Sequence, residues 1–108
     1  MQPAETVMAY LGHLNRQEYQ EAENLLEDRL IVNGPMGEAF RSAKDFIGML
    51  EKYRSGYDNK KTFSNGQNVC VLYDFVFEKN RIYASSLYEV RNGKISSVTT
   101  VFDSRQMP

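Results

Sequence analysis

The stretch 69–103 constrains this chain more than any other. It reads as consecutive antiparallel strands separated by turn signals, and one interior strand position carries a carboxylate. Within VCVLYDFVF, residues 69–77, Asp74 has apolar or aromatic neighbours on nearly every side. A charge in a half-buried strand is costly unless it is paired or put to use. The stretch therefore points to a pocket, though it does not name the ligand. Asn65-Gly66 and Asn92-Gly93 are two-residue hairpin signals, with both residues of each pair expected at positive φ. A third turn is expected at 78–81. The expected meander has strands at about 60–64, 67–77, 82–91 and 94–103.

Pairing across Asn92-Gly93 sets Val90 beside Ile95. Period two then places Ile82, Ala84, Ser86 and Tyr88 on the same face as Val90. If that face meets the helices, the small Ala84 and Ser86 leave room for a cavity between larger neighbours. The opposite face carries Tyr83 and Leu87. A sheet with apolar side chains on both faces needs cover on both, and a second copy of the chain is the simplest cover for the outer one. Alternation along 69–77 groups Asp74 with Cys70, Leu72 and Val76, against Val69, Val71, Tyr73, Phe75 and Phe77. Both sets are largely apolar, so either one can face the helices.

The first half reads as helical. Val7, Tyr10, Leu11 and Leu14 recur at i, i+3, i+4 and i+7, with Pro3 and Glu5 suited to the first turn. A second helix is expected at about 17–28, with Tyr19, Ala22, Leu25 and Leu26 as its stripe and Asn15 and Glu18 as a capping box. A short strand at 29–33 runs into the breaker Gly34-Pro35-Met36-Gly37. A third helix is expected at about 42–53, capped by Ser42, with Ala43, Phe46, Ile47 and Leu50 inward and Gly56 ending it.

A length of 108 residues with 13 basic and 14 acidic side chains suits one domain. The net charge of -1 gives no field to hold nucleic acid or an anionic membrane. The single cysteine, Cys70, excludes an internal disulfide and Cys-rich zinc sites. His13, the only histidine, leaves no His-based metal site, and no phosphate-binding loop occurs. Neither a cofactor nor a metal is expected. No signal peptide or membrane-spanning run is visible, so a soluble cytoplasmic protein is expected.

Val7…Tyr10-Leu11…Leu14-Asn15…Tyr19…Ala22…Leu25-Leu26-Glu27-Asp28 resembles the paired N-terminal helices of the SnoaL-like, nuclear-transport-factor-2-like (NTF2-like) superfamily. Asn33-Gly34-Pro35 followed by Ser42-Ala43…Phe46…Leu50 matches its third helix. Val71-Leu72-Tyr73-Asp74, Tyr88-Glu89-Val90-Arg91-Asn92-Gly93-Lys94-Ile95 and Val101-Phe102-Asp103 are similar to its closing strands. The resemblance implies an α+β fold, an NTF2-like (cystatin-like) cone. Three N-terminal helices pack on a strongly bent antiparallel sheet with a pocket at the open end, and members are commonly dimers. The superfamily includes ketosteroid isomerases, polyketide cyclases, epoxide hydrolases and dehydratases, and also pure binding and adaptor proteins, so the fold does not fix the function.

Asp74 is the first candidate, either as a general acid–base in an apolar pocket or as a strand carboxylate satisfied by a neighbouring tyrosine or arginine. The isomerase branch uses a helix-borne tyrosine as an oxyanion donor, and the resemblance offers Tyr10 for that part; the other reading is an aromatic core residue. Leu14, Phe46, Leu50, Tyr53, Ser86 and Tyr88 are candidate pocket-lining residues, and Asp103 a candidate at its mouth. No Asp-Arg-Asp arrangement like that of the epoxide hydrolases can be placed from the sequence. Three functions remain open: an isomerase, cyclase or hydrolase; a non-catalytic domain binding a small apolar organic ligand; and a partner-binding adaptor.

Overall fold

A computed structural model describes residues 1–107. Helices α1 (Pro3–Asn15) and α2 (Tyr19–Asn24) lead into strand β1 (Leu26–Asn33). Strand β2 (Ala39–Phe40), helix α3 (Ala43–Tyr53) and strands β3 (Gly56–Asn65), β4 (Asn68–Phe77), β5 (Asn80–Arg91) and β6 (Lys94–Phe102) follow, with a closing 3-10 turn at Ser104–Gln106. The six strands form one open sheet in the order β2-β1-β6-β5-β4-β3. The sheet is mixed rather than wholly antiparallel, because β1 runs parallel to β6, pairing Leu26 with Ile95 and Val32 with Val98.

That parallel pairing explains the main error in the helical reading. Leu26 lies in a strand, so α2 ends at Asn24. Leu26, Leu30 and Val32 are buried in the core while Arg29 and Ile31 are exposed. An apolar run this short fits helix or strand equally well on periodicity, and the free edge of β6 settled it. The capping box also fails. Asn15 pairs with a distant backbone, and Glu18 binds His13 at 2.8 Å and Arg16 at 2.9 Å.

The third helix forms as its pattern requires. The Ser42 hydroxyl accepts from the Asp45 amide at 3.1 Å, which satisfies one of the free amides of the first turn. Arg54, in left-handed conformation (φ 50), ends the helix, not Gly56, which opens β3. The hairpin signals divide. Asn92 and Gly93 both take positive φ (52 and 77), as the sequence predicts. In the first hairpin Asn65 pairs with Asn68, so the loop is Gly66-Gln67, and of the Asn65-Gly66 pair Gly66 alone has positive φ (62). Glycine in the first loop position is the pattern of a type II′ turn.

Register decides what the concave face presents. Val69, Val71 and Tyr73 are buried, and Tyr73 stands opposite Ala84, which stands opposite Phe102. Phe75 pairs with Tyr57 and Ile82 on the same face. The other set, with Asp74, Cys70 and Leu72, lies on the convex face. Helix α1 packs against β3, β4, β5 and β6, whereas α3 lies against β1 and β2. One end of the concave face is therefore sealed, and the other is left partly open.

Candidate functional site

The open end holds a cavity of about 400 Å³. It sits where β4 ends, β5 begins and β6 ends, roofed by α3 and by the loop after β1. Phe40, Phe46, Phe75, Phe77 and Phe102 supply phenyl walls, and Met36, Met49 and Met107 fill between them. Phe75 makes aromatic contacts with Tyr57, Tyr73 and Phe77 at centroid distances of 5.4, 6.4 and 5.5 Å. Such tilted and edge-on pairs hold the rings in fixed orientations. Ala84, facing Tyr73 and Phe102, is the smallest side chain that the strands contribute to the wall.

Polar groups at this end are few. Tyr73 and Thr100 line the cavity, and Ser86 lies between them. The Ser86 Oγ is 2.6 Å from the Tyr73 hydroxyl and 2.7 Å from Thr100 Oγ1. Ser55, in the link from α3 to β3, lines the cavity, and its buried hydroxyl has no hydrogen-bond partner. Among the described residues Glu38 is the one charged side chain lining the cavity. It is exposed, and its Oε2 accepts from the Met36 amide at 3.0 Å.

Asn15 holds this wall in place. Its Nδ2 donates to the Tyr57 carbonyl at 2.9 Å, and its Oδ1 accepts from the Tyr57 amide at 2.7 Å. The amide thus mimics a strand partner for the first turn of β3 and ties α1 to the segment that carries Ser55 and Tyr57. Burial pushes the Tyr10, Tyr57 and Tyr88 hydroxyls well above their ordinary pKa. The Tyr73 hydroxyl is also raised by burial, against an opposing pull from the Ser86 and Thr100 hydroxyls beside it.

The residues singled out from the sequence divide sharply. Phe46, Leu50 and Tyr53 line the cavity. Ser86 stands behind the wall and acts through its two hydroxyl partners. Leu14, Tyr10 and Tyr88 are buried but do not line the cavity; Tyr10 and Tyr88 meet edge-on at 6.2 Å, deeper in the cone. Asp103 does not line the mouth either. Its carboxylate accepts from the Arg105 amide at 3.0 Å and from the Arg105 side chain, which holds its pKa below the ordinary value.

Asp74 departs furthest from expectation. It belongs to the convex set and does not line the cavity. Its side chain is 23% exposed, and Oδ2 accepts from Asn59 Nδ2 at 2.8 Å and Arg81 Nη1 at 3.2 Å. Arg81 also reaches Asp58 at 3.2 Å. An Asp-Arg-Asp arrangement therefore forms, on the outside of the sheet and half exposed to solvent. The reading of Asp74 as a satisfied strand carboxylate describes this geometry, and the pocket reading does not. Tyr57, Tyr73, Ser55 and Thr100 were missed as site residues. Alternation groups Tyr73 with Phe75, but only the observed register turns that set inward.

An open, bent, mixed sheet wrapped on three helices, with an apolar cavity at one end, defines the architecture of the SnoaL-like, NTF2-like superfamily, and this chain has that fold. Solved structures bear this out. An NTF2-like protein of unknown function from Cytophaga hutchinsonii superposes with a TM-score of 0.92 at 28% identity, over 97% of this chain and 93% of that one. A provisionally assigned polyketide cyclase from Pseudomonas putida matches at 0.85 and 20% identity, over 98% and 95% of the two chains. An LEH-like epoxide hydrolase from Mycobacterium tuberculosis matches at 0.82 and 18% identity, over 97% and 85%. At such identities the latter two speak to the fold alone. No protein-family model matches the sequence, and no curated protein matches it. Among the described residues no helix is long and apolar enough to cross a membrane.

Proposed function

We propose that this protein binds a small, largely apolar organic molecule in the open end of the cone, without acid–base help from Asp74. One observation carries the reading. A cavity of about 400 Å³ is walled by aromatic and aliphatic side chains, with its one lining carboxylate exposed. This is the size range and chemistry of small-molecule pockets. A catalytic second reading draws on the fold shared with a named epoxide hydrolase and a provisional cyclase. It needs proton transfer through cavity hydroxyls such as Tyr73, which burial keeps protonated at neutral pH.

The test is a titration with N-phenyl-1-naphthylamine, an uncharged probe that fluoresces in apolar surroundings. Saturable binding with a raised Tm is expected, and Ala84→Met, which fills the cavity, is expected to abolish it while keeping the fold. A probe response that is absent, or unchanged in Ala84→Met, overturns the proposal. We also place a second copy of the chain on the convex face, where Ile31, Phe63, Tyr83, Leu87 and Val101 are 45% to 60% exposed. Phe63, Cys70 and Leu87 form one cross-strand row there. Light scattering at micromolar concentration is expected to return twice the chain mass, and a monomer mass refutes this placement.

A further inference from the structure

We propose that the cavity selects an uncharged ligand whose polar group is a hydroxyl or carbonyl, received by the Tyr73–Ser86–Thr100 hydroxyl chain. The inference rests on reading the cavity as a binding site and adds the chemistry of what enters it.

Ser86 is 1% exposed. It stands next to Ala84 on the concave face of β5, opposite Thr100 on β6 and Val71 on β4. Tyr73, one inward position further along β4, faces the small Ala84, and its hydroxyl reaches Ser86. The three hydroxyls carry three protons, and the two contacts at 2.6 and 2.7 Å use two of them. With the hydroxyls donating in one direction along the chain, the third proton is left at one end. If Tyr73 donates to Ser86 and Ser86 to Thr100, the free proton is on Thr100. If the order reverses, it is on Tyr73. Both ends line the cavity. The chain therefore offers a donor at one end and an acceptor at the other, and exchanging them requires rotation of hydroxyls but no ionisation. A ligand carbonyl uses the donor end, and a ligand hydroxyl can use either.

Ser55 also lines the cavity, but its Oγ is buried and closed off from the cavity space, so the ligand's polar group is assigned to the hydroxyl chain alone. Charge selection follows from the wall. Among the described residues no lysine or arginine lines the cavity, so an anion would lose its hydration and gain no countercharge. Glu38, the one lining charge, is exposed and already accepts from the Met36 amide. It disfavours anions further and, screened by water, gives a cation little in return.

Equilibrium dialysis with four probes of one shape tests this: naphthalene, 2-naphthol, 2-naphthoate and 2-naphthylmethylammonium. In the unmodified protein 2-naphthol is expected to bind about fivefold to tenfold tighter than naphthalene and at least about thirtyfold tighter than either ion. In Tyr73→Phe/Thr100→Val the ratio of naphthol to naphthalene affinity is expected to fall toward one. Thr100→Ser, which keeps the hydroxyl, is expected to retain it. Should the double variant bind neither neutral probe, the same ratio is read in Tyr73→Phe alone, where it is expected to fall by at least twofold. A preference that survives the substitutions, or an ion bound as tightly as 2-naphthol, overturns the inference. If naphthalene binds and 2-naphthol has no advantage, the hydroxyl chain is irrelevant but the binding reading stands. If neither neutral probe binds the unmodified protein, the binding reading itself fails, and the inference with it.

Discussion

The two ends of the concave face are built from the same strands and the same kinds of residue, yet one is solid and the other hollow. At the closed end Val69, Val71, Tyr88, Val90, Ile95 and Val98 are all buried. Helix α1 packs across β3 to β6 and brings Val7, Tyr10 and Leu11 onto that half of the sheet. At the open end Tyr73, Phe75, Ile82, Ala84 and Phe102 line the cavity instead. Helix α3, which roofs them, rests on β1 and β2. The hollow therefore does not come from a shortage of apolar side chains. It comes from where the helices rest, with a small residue, Ala84, placed between large ones.

Alkaline titration gives the largest effect, and it separates Tyr73 at the cavity from the more strongly shifted tyrosines. A tyrosine buried as the neutral phenol has a folded pKa above its unfolded value of about 10. The folded state then holds more protons, so the stability is fully present below pH ~10 and is lost as pH rises through the folded pKa. Tyr10, Tyr57, Tyr88 and Tyr73 all contribute in this direction. Each one that stays protonated costs up to about 1.4 kcal/mol per pH unit above that point. Denaturant unfolding at stepped pH is expected to show a plateau that breaks near pH 10. Ultraviolet difference absorbance is expected to show Tyr73, the only one of the four raised less strongly, ionising ahead of the others. Ionisation of all four at their unfolded pKa, without loss of stability, breaks the contrast.

A pair of truncations gives the next largest effect. Leu11→Ala at the closed end removes a fully buried side chain from a filled core and is expected to cost ~3 kcal/mol or more. Leu50→Ala removes a side chain that already borders a void, so its expected cost is about 2 kcal/mol. Equal losses in urea unfolding would mean that the open end is packed as tightly as the closed one.

The smallest effect belongs to the convex face. Asp74→Asn weakens a half-exposed ion pair with Arg81 and is expected to shift stability by no more than about 0.5 kcal/mol. It is also expected to leave probe binding in the cavity unchanged. A tenfold loss of binding in a correctly folded Asp74→Asn would return that carboxylate to the site.

Much of the framework was legible because local chemistry dictates it. The α1 stripe, the Ser42 cap and the Asn92-Gly93 turn each follow from a few adjacent residues, and the order of elements was enough to suggest the fold. Phe46, Leu50 and Tyr53 were found on the cavity because a single helical stripe fixed their direction. Tyr73 and Asp74 were confused because both alternating sets of β4 are apolar, so period two gave no way to choose between them. Asn15 read as part of a helix cap, since nothing local announces a partner 42 positions away at Tyr57.

The amino-acid order alone determined which segments curl into helices, where the last hairpin turns, and that apolar residues would cover both faces of the sheet. Only the assembled structure decided which face of β4 turned inward, that Leu26 would join a strand, and that three hydroxyls from three strands would meet at a cavity. The physical reason is range. Propensity, capping and turn geometry act over a few residues. Register and burial are set by pairing between distant strands, where a shift of one residue exchanges the two faces of a sheet.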